Sequence, residues 1–136
     1  MITQKHIFLT PKKRGFHLVT GEILQKIGEL PKAGLLNLFL KHTSAALSVN
    51  ENYDPSVRVD METIADRLIP DGDSAYEHYL EGADDMPAHF KSSMMGVSLT
   101  VPISEGKLDL GTWQGIYLCE FRNSGGQRQL TATIYS

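Results

Sequence analysis

The chain has 136 residues, of which 41% are hydrophobic and 21% charged, as is typical of one globular domain spanning residues 1–136. The formal net charge of −3 argues against partners such as nucleic acid or an anionic membrane, which are bound by basic surfaces. A single cysteine excludes an internal disulfide, and no signal-peptide core or membrane-length apolar run is visible, so we expect a cytoplasmic location.

Strand and helix patterns alternate in the first third of the chain. The stretches "HIFLT" and "GFHLVT" predict two strands on either side of the turn-like "PKKRG". "TGEILQKIGEL" predicts a short helix with Thr20 as its N-cap and Glu22 near its positive end. Two more strands follow in "GLLNLFLKH" and "SAALSVN", and a regular second strand would place His42 on a face of small and polar side chains.

Proline and glycine mark the ends of two further helices. Asp54 followed by Pro55 predicts a helix start, and Pro70 ends that helix. Apolar residues recur at helical spacing between them, namely Val57, Met61, Ile64, Ala65 and Leu68. "PAHFKSSMM" predicts a third helix that begins at Pro87 and ends at Gly96, with His89 near its third position.

The last third of the chain is predicted to be β structure. "VSLTVPI" alternates between apolar and polar residues, "SEGK" is typical of a turn, and "GIYLCEF" and "RQLTATIY" flank "NSGG" as a predicted hairpin. The predicted order is therefore β-β-α-β-β-α-α-β-β-β. This order indicates the α+β class, with a mostly antiparallel sheet or sandwich and about three short helices.

Three of the five histidines, His42, His78 and His89, lie beside other polar groups. Each also has a structural interpretation: a strand-end histidine bound to a carbonyl, a solvated loop residue and a surface residue in the first turn of a helix. No spacing among them is a metal-binding signature. Together with carboxylates they would nevertheless suit zinc or another divalent ion. The nearby carboxylates are those of Glu81, Asp84 and Asp85.

Two acidic residues elsewhere also invite a functional or a structural interpretation. Glu120 belongs to a strand with two apolar faces, so its carboxylate needs an arginine, a metal or a ligand as partner. Asp54 is explained as a helix cap, and Asn50 ends the polar face of its strand. Cys119 is predicted to be a buried core thiol.

Four stretches carry a resemblance to a known family. They are "RGFHLVT", "HTSAALSVNENYDPSVRVDME", "YEHYLEGADDMPAHFKSSMMG" and "GKLDLGTWQGIYLCEFR", which together span nearly the whole chain. On these motifs the chain is identified as a member of the YjbQ family (uncharacterised protein family 0047). The spacing inside "EGADDMPAH" resembles its bacterial subgroup. The resemblance implies a β-sandwich of two sheets, a homotrimer and a secondary thiamine-phosphate synthase activity, which joins hydroxymethylpyrimidine pyrophosphate to thiazole phosphate and releases pyrophosphate.

A site for that chemistry follows from the resemblance together with the residue types. His42, His78 and His89 would form its centre, as ligands of zinc or magnesium or as acid–base groups, with Glu81 and Glu120 beside them. A small phosphorylated metabolite would be bound by further side chains. These are Arg14, Thr43, Ser44, Asn50, Asp54, Lys91 and Gln114.

Two other functions fit the same residues. One is a non-enzymatic module that binds a phosphorylated metabolite or a metal without converting it. The other is a metal-dependent hydrolase, which requires an open coordination position that holds water.

Overall fold

The computed structural model describes all 136 residues and confirms the predicted α+β class with two antiparallel sheets. Every predicted strand and helix is present, and one short strand is added. The strands are β1 (Ile2–Leu9), β2 (Gly15–Leu18), β3 (Ala33–Leu40), β4 (Ala45–Glu51), β5 (Ser98–Ser104), β6 (Lys107–Leu108), β7 (Gln114–Glu120) and β8 (Arg128–Tyr135). The helices are α1 (Thr20–Ile27), α2 (Pro55–Leu68) and α3 (Asp85–Met95). None of the three is long and apolar enough to cross a membrane.

The two sheets pack face to face around the main core. One sheet has the strand order β1-β8-β3-β5-β6 and the other β2-β7-β4, and every neighbouring pair is antiparallel. Leu38 and Leu130 of the larger sheet are buried in one cluster with Leu47 and Leu118 of the smaller sheet. Burial of such side chains stabilises the fold by about 1.5–3 kcal/mol each relative to exposure.

The smaller sheet is covered on both faces. Its second face carries Ala46, Tyr117 and Cys119, which pack with Ala65 of α2 and Ala88 of α3 in a second core. The face that the sequence assigned to small and polar side chains is therefore a helix-covered core face. His42 lies in irregular chain between β3 and β4, and the bend at Thr43 and Ser44 separates it from β4, so the strand alternation does not extend to it. Burial raises the pKa of the Cys119 thiol to about 12, in line with its predicted core position.

A buried ion pair joins the two sheets. Glu120 at the end of β7 accepts hydrogen bonds from Nε and Nη2 of Arg128 at the start of β8, at 2.7 and 2.5 Å. Both side chains are almost completely buried, and Arg128 also donates to the Ser44 carbonyl oxygen at 3.2 Å. The partner that a buried Glu120 requires is thus an arginine.

The predicted hairpin of β7 and β8 is wrong. β7 pairs with β2 and β4, whereas β8 pairs with β1 and β3 in the other sheet. The "NSGG" segment carries the chain from one layer to the other. Turn residues indicate where a chain changes direction, but they do not specify which strands hydrogen-bond to each other.

Two predicted helix starts are also corrected. The N-cap of α1 is Val19, because the Thr20 hydroxyl instead accepts a hydrogen bond from the Ile116 amide at 2.8 Å. Helix α3 begins at Asp85, two residues before Pro87, because proline is tolerated throughout a first turn whose amides lack helical partners. The predicted "SEGK" turn continues into the short strand β6.

Helix α2 begins as predicted, with Asp54 as N-cap accepting from the Ser56 amide at 2.9 Å and Pro55 at the first helical position. Its apolar stripe is only partly used in packing. Ala65 is buried, whereas Ile64 and Leu68 are exposed on the outer side of the helix.

The two ends of the chain meet in the larger sheet. Ile2 of β1 lies opposite Tyr135 of β8, and the amino group of Met1 donates a hydrogen bond to the Ser136 carbonyl oxygen at 2.6 Å. The first and last strands therefore lie side by side in the larger sheet.

The Glu120–Arg128 pair predicts a large effect of a single substitution. Arg128→Met leaves a buried carboxylate without its partner, so we expect the free energy of unfolding to fall by about 3–5 kcal/mol in urea denaturation. Arg67→Met, at an exposed position of α2, is the matched control and should change it by about 0.5 kcal/mol or less. Equal effects of the two substitutions would contradict a stabilising role of the pair.

Candidate functional site

A carboxylate and two imidazoles meet at the start of α3. Asp85 is the first residue of the helix, His89 lies one turn later, and His78 comes from the preceding loop. The Nε2 atoms of His78 and His89 lie 2.6 and 3.1 Å from Asp85 Oδ2. One potential ligand atom from each of the three residues lies within 4.8 Å of the others. We call these three residues the His–Asp cluster.

Asp85 is the buried member of the cluster, with 1% of its surface exposed. Its Oδ2 faces the histidines, while its Oδ1 accepts a hydrogen bond from Arg122 Nη1. Burial acts to raise the pKa of the carboxyl, but the His78 hydrogen bond and the charges of His89 and Arg122 outweigh it, and the pKa lies below its usual value. The cluster therefore contains an ionised carboxylate at neutral pH.

Arg122 organises the acidic turn in front of α3. Its Nε donates to Asp84 Oδ2 at 2.8 Å and its Nη2 donates to the Glu81 carbonyl oxygen at 3.0 Å. The hydrogen bond to Asp84 outweighs partial burial and raises the pKa of Arg122. One guanidinium thus fixes three parts of this turn, including the side chain of Asp85.

The hydrogen bonds of His89 define which of its nitrogens can bind a cation. Nδ1 lies 2.8 Å from the Thr43 carbonyl oxygen, which can only accept, so Nδ1 carries a hydrogen. In the neutral ring, Nε2 then presents a lone pair to the carboxylate oxygen of Asp85. Two acceptors at this separation repel unless a proton or a metal ion lies between them. Metal-bound histidines commonly donate their other N–H to a backbone carbonyl in this way.

The donor set fits a divalent cation. Two imidazoles and one carboxylate are the ligands of several catalytic zinc sites, where a fourth position remains for water or substrate. His78 Nε2, His89 Nε2 and Asp85 Oδ2 are the atoms that would hold the ion.

His42 does not belong to this cluster. Its Nε2 accepts a hydrogen bond from the Gln129 amide at 2.8 Å, so in the neutral ring the hydrogen is on Nδ1. Burial, and next the charge of Arg128, hold the pKa of His42 below its usual value of 6.5. His42 is therefore a neutral hydrogen-bond donor at neutral pH, with its acceptor nitrogen already occupied.

His42 and His89 nevertheless share an open concavity of about 540 Å³, which we call the cleft. Its remaining residues are small, and several carry hydroxyl groups. They are Thr43, Ser92, Ser93, Gly96 and Val97. A separate pocket of about 290 Å³ is lined by His78 of the cluster together with Tyr76 and Tyr79.

Several residues predicted to bind substrate have structural partners instead. Lys91 is buried and donates to Asp66 Oδ1 at 2.6 Å, with its ammonium 5.6 Å from the centre of the Phe121 ring. Arg14 donates to the carboxylates of Asp66 and Asp71 at 2.9 and 2.6 Å, and the hydrogen bond to Asp71 is the main cause of its raised pKa. These ion pairs hold α2 against α3 and β2.

The remaining predicted residues separate into two groups. Ser44 is buried near Arg128 and Thr43 lines the cleft, whereas Glu81 is exposed beside Arg122. Asn50, Asp54 and Gln114 lie together at the opposite end of the smaller sheet, where Glu51 pairs with Gln114. Ala45 and Glu51 mark the two ends of β4, and the six residue steps of extended strand between them span about 20 Å.

The sequence reasoning identified Asp85 only as a nearby carboxylate and did not identify Arg122. Asp85 is recognisable in retrospect from "ADDMP", where two acidic residues precede a helix-starting proline. Arg122 follows Phe121 after the end of β7 and carries no local signal, because its role depends on the approach of this segment to Asp85 at the start of α3.

Comparisons with known proteins agree with this architecture. A family model described as "UPF0047 protein YjbQ-like" matches residues 5–136. The UPF0047 protein YjbQ of Escherichia coli O157:H7 is 54% identical over 133 residues, which cover 96% of each chain. The protein of that name from Salmonella typhimurium is 56% identical, again over 96% of each chain.

Solved structures extend the similarity to more distant organisms. A conserved hypothetical protein of Thermus thermophilus has a TM-score of 0.84 and 30% identity, covering 96% of this chain and 99% of that one. A Sulfolobus solfataricus protein, described as of unknown function, has a TM-score of 0.83 and 26% identity, with 98% and 96% covered. These descriptions give no activity.

The environment of His42 predicts its titration. Burial and the nearby Arg128 disfavour the imidazolium, so its NMR titration midpoint should lie below 6.5. Since the unfolded chain then binds more protons than the folded chain as pH falls from about 6.5, stability contributed by neutral His42 should be lost in that window. His42→Asn assigns the resonance by its disappearance. A midpoint above 6.5 would contradict this environment.

Proposed function

Because the chain belongs to the YjbQ-like UPF0047 family, we propose that it is a metal-dependent enzyme that acts on small phosphorylated metabolites. The proposed reaction is a secondary thiamine-phosphate synthase activity. A nitrogen of thiazole phosphate forms a bond to the methylene carbon of hydroxymethylpyrimidine pyrophosphate, the carbon–oxygen bond breaks, and pyrophosphate leaves with the electron pair.

The observation that carries the proposal is the convergence of His78 Nε2, His89 Nε2 and the ionised Asp85 carboxylate within 4.8 Å of one another. Two hydrogen bonds orient these groups: His89 Nδ1 donates to the Thr43 carbonyl oxygen, and Arg122 donates to the Asp85 carboxylate. A divalent ion held by the cluster would supply positive charge to stabilise a pyrophosphate leaving group. Zinc suits the nitrogen ligands better than magnesium does.

The cleft supports the binding of the phosphorylated groups. Thr43, Ser92 and Ser93 line it with hydroxyls, and His42 contributes a neutral imidazole whose Nδ1 carries the hydrogen. These groups donate hydrogen bonds to phosphate oxygens without needing a change of protonation. Donors held in place before the substrate arrives stabilise developing negative charge most effectively.

Two concavities, each of which includes one histidine of the cluster, support a reaction between two small molecules. The cleft includes His89, and the pocket lined by Tyr76 and Tyr79 includes His78. Each has room for a metabolite with one ring. Holding both reactants against the same three residues would replace an encounter in solution by a reaction between bound neighbours.

The same cluster suits a second candidate, a metal-dependent hydrolase. Three protein ligands with one open position are the usual arrangement of a hydrolytic zinc site. The assay separates the two candidates, since the transferase requires both substrates whereas the hydrolase releases phosphate or amine from one. A binding module would hold either metabolite without turnover.

We also propose that the protein works as a cytoplasmic homotrimer. The location is supported by the single free thiol of Cys119, and the assembly by the family resemblance of the sequence motifs.

Metal binding is the first test of the proposal. Metal-free protein offered zinc should bind it stoichiometrically, as measured by elemental analysis after gel filtration. His78→Ala, Asp85→Asn and His89→Ala should abolish binding and pyrophosphate release, because each removes one ligand. His6→Ala, which changes a distant histidine of β1, is the control and should leave both unchanged. Absence of binding to the wild type would overturn the metal-dependent mechanism.

Substitution of Arg122 should weaken zinc binding without abolishing it. Arg122→Gln removes the charge that orients Asp85 but leaves all three ligands, so zinc affinity should fall by about 10–100-fold. The dissociation constant is measured by competition with a chelator. Arg67→Gln is the control for loss of one positive charge. An unchanged affinity in a folded Arg122→Gln protein would show that Asp85 is oriented without the guanidinium.

A further inference from the structure

Two large aromatic side chains project from the end of the smaller sheet that lies opposite the His–Asp cluster. Tyr53 is 74% and Trp113 60% exposed, and their rings meet edge to face with centroids 5.6 Å apart. We call this pair the aromatic platform. It belongs to the motifs "NENYDP" and "GTWQG", whose residues take no part in the cluster.

The loop that carries Trp113 is fixed by hydrogen bonds to Asn52. The Asn52 side chain donates to the Thr112 and Gln114 carbonyl oxygens at 3.3 and 3.0 Å. The backbone N–H of Asn52 donates to the Trp113 carbonyl oxygen at 2.9 Å. Gly115 permits this close approach, because a Cβ there would lie 3.1 Å from Asn52 Cβ and closer still to Leu18. The exposure of Trp113 is therefore imposed by an ordered loop.

The loop that carries Tyr53 is fixed in a similar way. Glu51 Oε1 accepts hydrogen bonds from the amides of Tyr53 and Asp54 at 2.9 and 3.0 Å. The Tyr117 hydroxyl, buried in the second core, donates to the Glu51 carbonyl oxygen. Apolar surface that is already held in one conformation loses little entropy on binding, as is typical of an interaction surface.

The platform suits a protein partner better than a small ligand. It projects from the surface, and neither ring lines any of the concavities described above. Tyrosine and tryptophan are the residues most enriched among those that dominate the binding energy of protein interfaces.

The cleft at the other end of the molecule complements the platform. It is open, its volume of about 540 Å³ is large enough for aromatic side chains, and most of its lining residues are small. Charges beside the two features are also opposite: exposed Lys41 precedes His42 of the cleft in the sequence, whereas Glu51 and exposed Asp54 flank Tyr53 of the platform. Within one chain the two features lie at opposite ends of β4 and cannot meet.

We propose that the aromatic platform of one copy docks in the cleft of a second copy and completes the substrate site beside its His–Asp cluster. Contact between opposite ends of identical molecules is heterologous, and it closes into a ring when the rotation permits. The substrate site is then shared, with His42 and His89 from one chain and Trp113 from its neighbour. This inference rests on the proposed function for the role of the cluster.

Trp113 is the only tryptophan of the chain, so its fluorescence reports on the platform alone. The experiment mixes two variants by joint refolding. His89→Ala retains Trp113 but has a disabled metal site, and Trp113→Phe retains the metal site but has no tryptophan. Cobalt(II), a short-range quencher that replaces zinc at such sites, is then added.

We expect cobalt to quench the emission of the mixture but not of His89→Ala alone, because only a neighbour's metal can approach Trp113. Absence of quenching in verified mixed oligomers would overturn the shared site. A monomeric wild type, by sedimentation, would overturn it as well and would leave the platform to another protein.

A second measurement, of the assembly itself, tests the docking without relying on a bound metal. If Trp113→Phe binds no cobalt, the metal proposal fails and the docking is judged by assembly. Tyr53→Ala combined with Trp113→Ala should then dissociate the wild-type oligomer, while Leu80→Ala, which truncates a side chain that is 87% exposed elsewhere, should not. An oligomer unaffected by the double substitution would overturn the docking.

Discussion

The geometry of the candidate site depends on the buried carboxylate of Asp85. A charge in this position is costly unless each of its oxygens has a partner, and here Arg122 satisfies one oxygen while the histidines face the other. The same guanidinium also binds Asp84 and the Glu81 carbonyl oxygen. Compensation of this one charge therefore orders the turn before α3 and directs His78 and His89 toward each other.

The double cover of the smaller sheet gives this turn a rigid base. One face of β7 packs against the larger sheet and the other against α2 and α3, so the strand leads Arg122 directly to the start of α3. The hydrogen bond from His89 to the Thr43 carbonyl oxygen then joins α3 to the segment before β4. Arg122 and His89 are thus the two side chains that link the cluster to the packed strands.

Local patterns in the sequence predicted the elements but not all of their pairings. Strand alternation and the Asp54-Pro55 helix start depend on neighbouring residues and were confirmed. The sheet assignment of β8 depends on contacts between distant segments, and "NSGG" could not reveal it. The same limit applies to the site: residue types singled out His78 and His89, but that Asp85 and not His42 is their neighbour depends on how the loop before α3 folds against the start of that helix.

The meeting of the chain ends in β1 and β8 has a consequence for the covalent order of the protein. Because Met1 and Ser136 are in contact, a short peptide could join them and new ends could be opened at the exposed Glu105–Gly106 turn. Such a circular permutant would keep every strand pairing and leave the sequence between His78 and His89 unbroken. The candidate site would then be built from the same residues in a different covalent order.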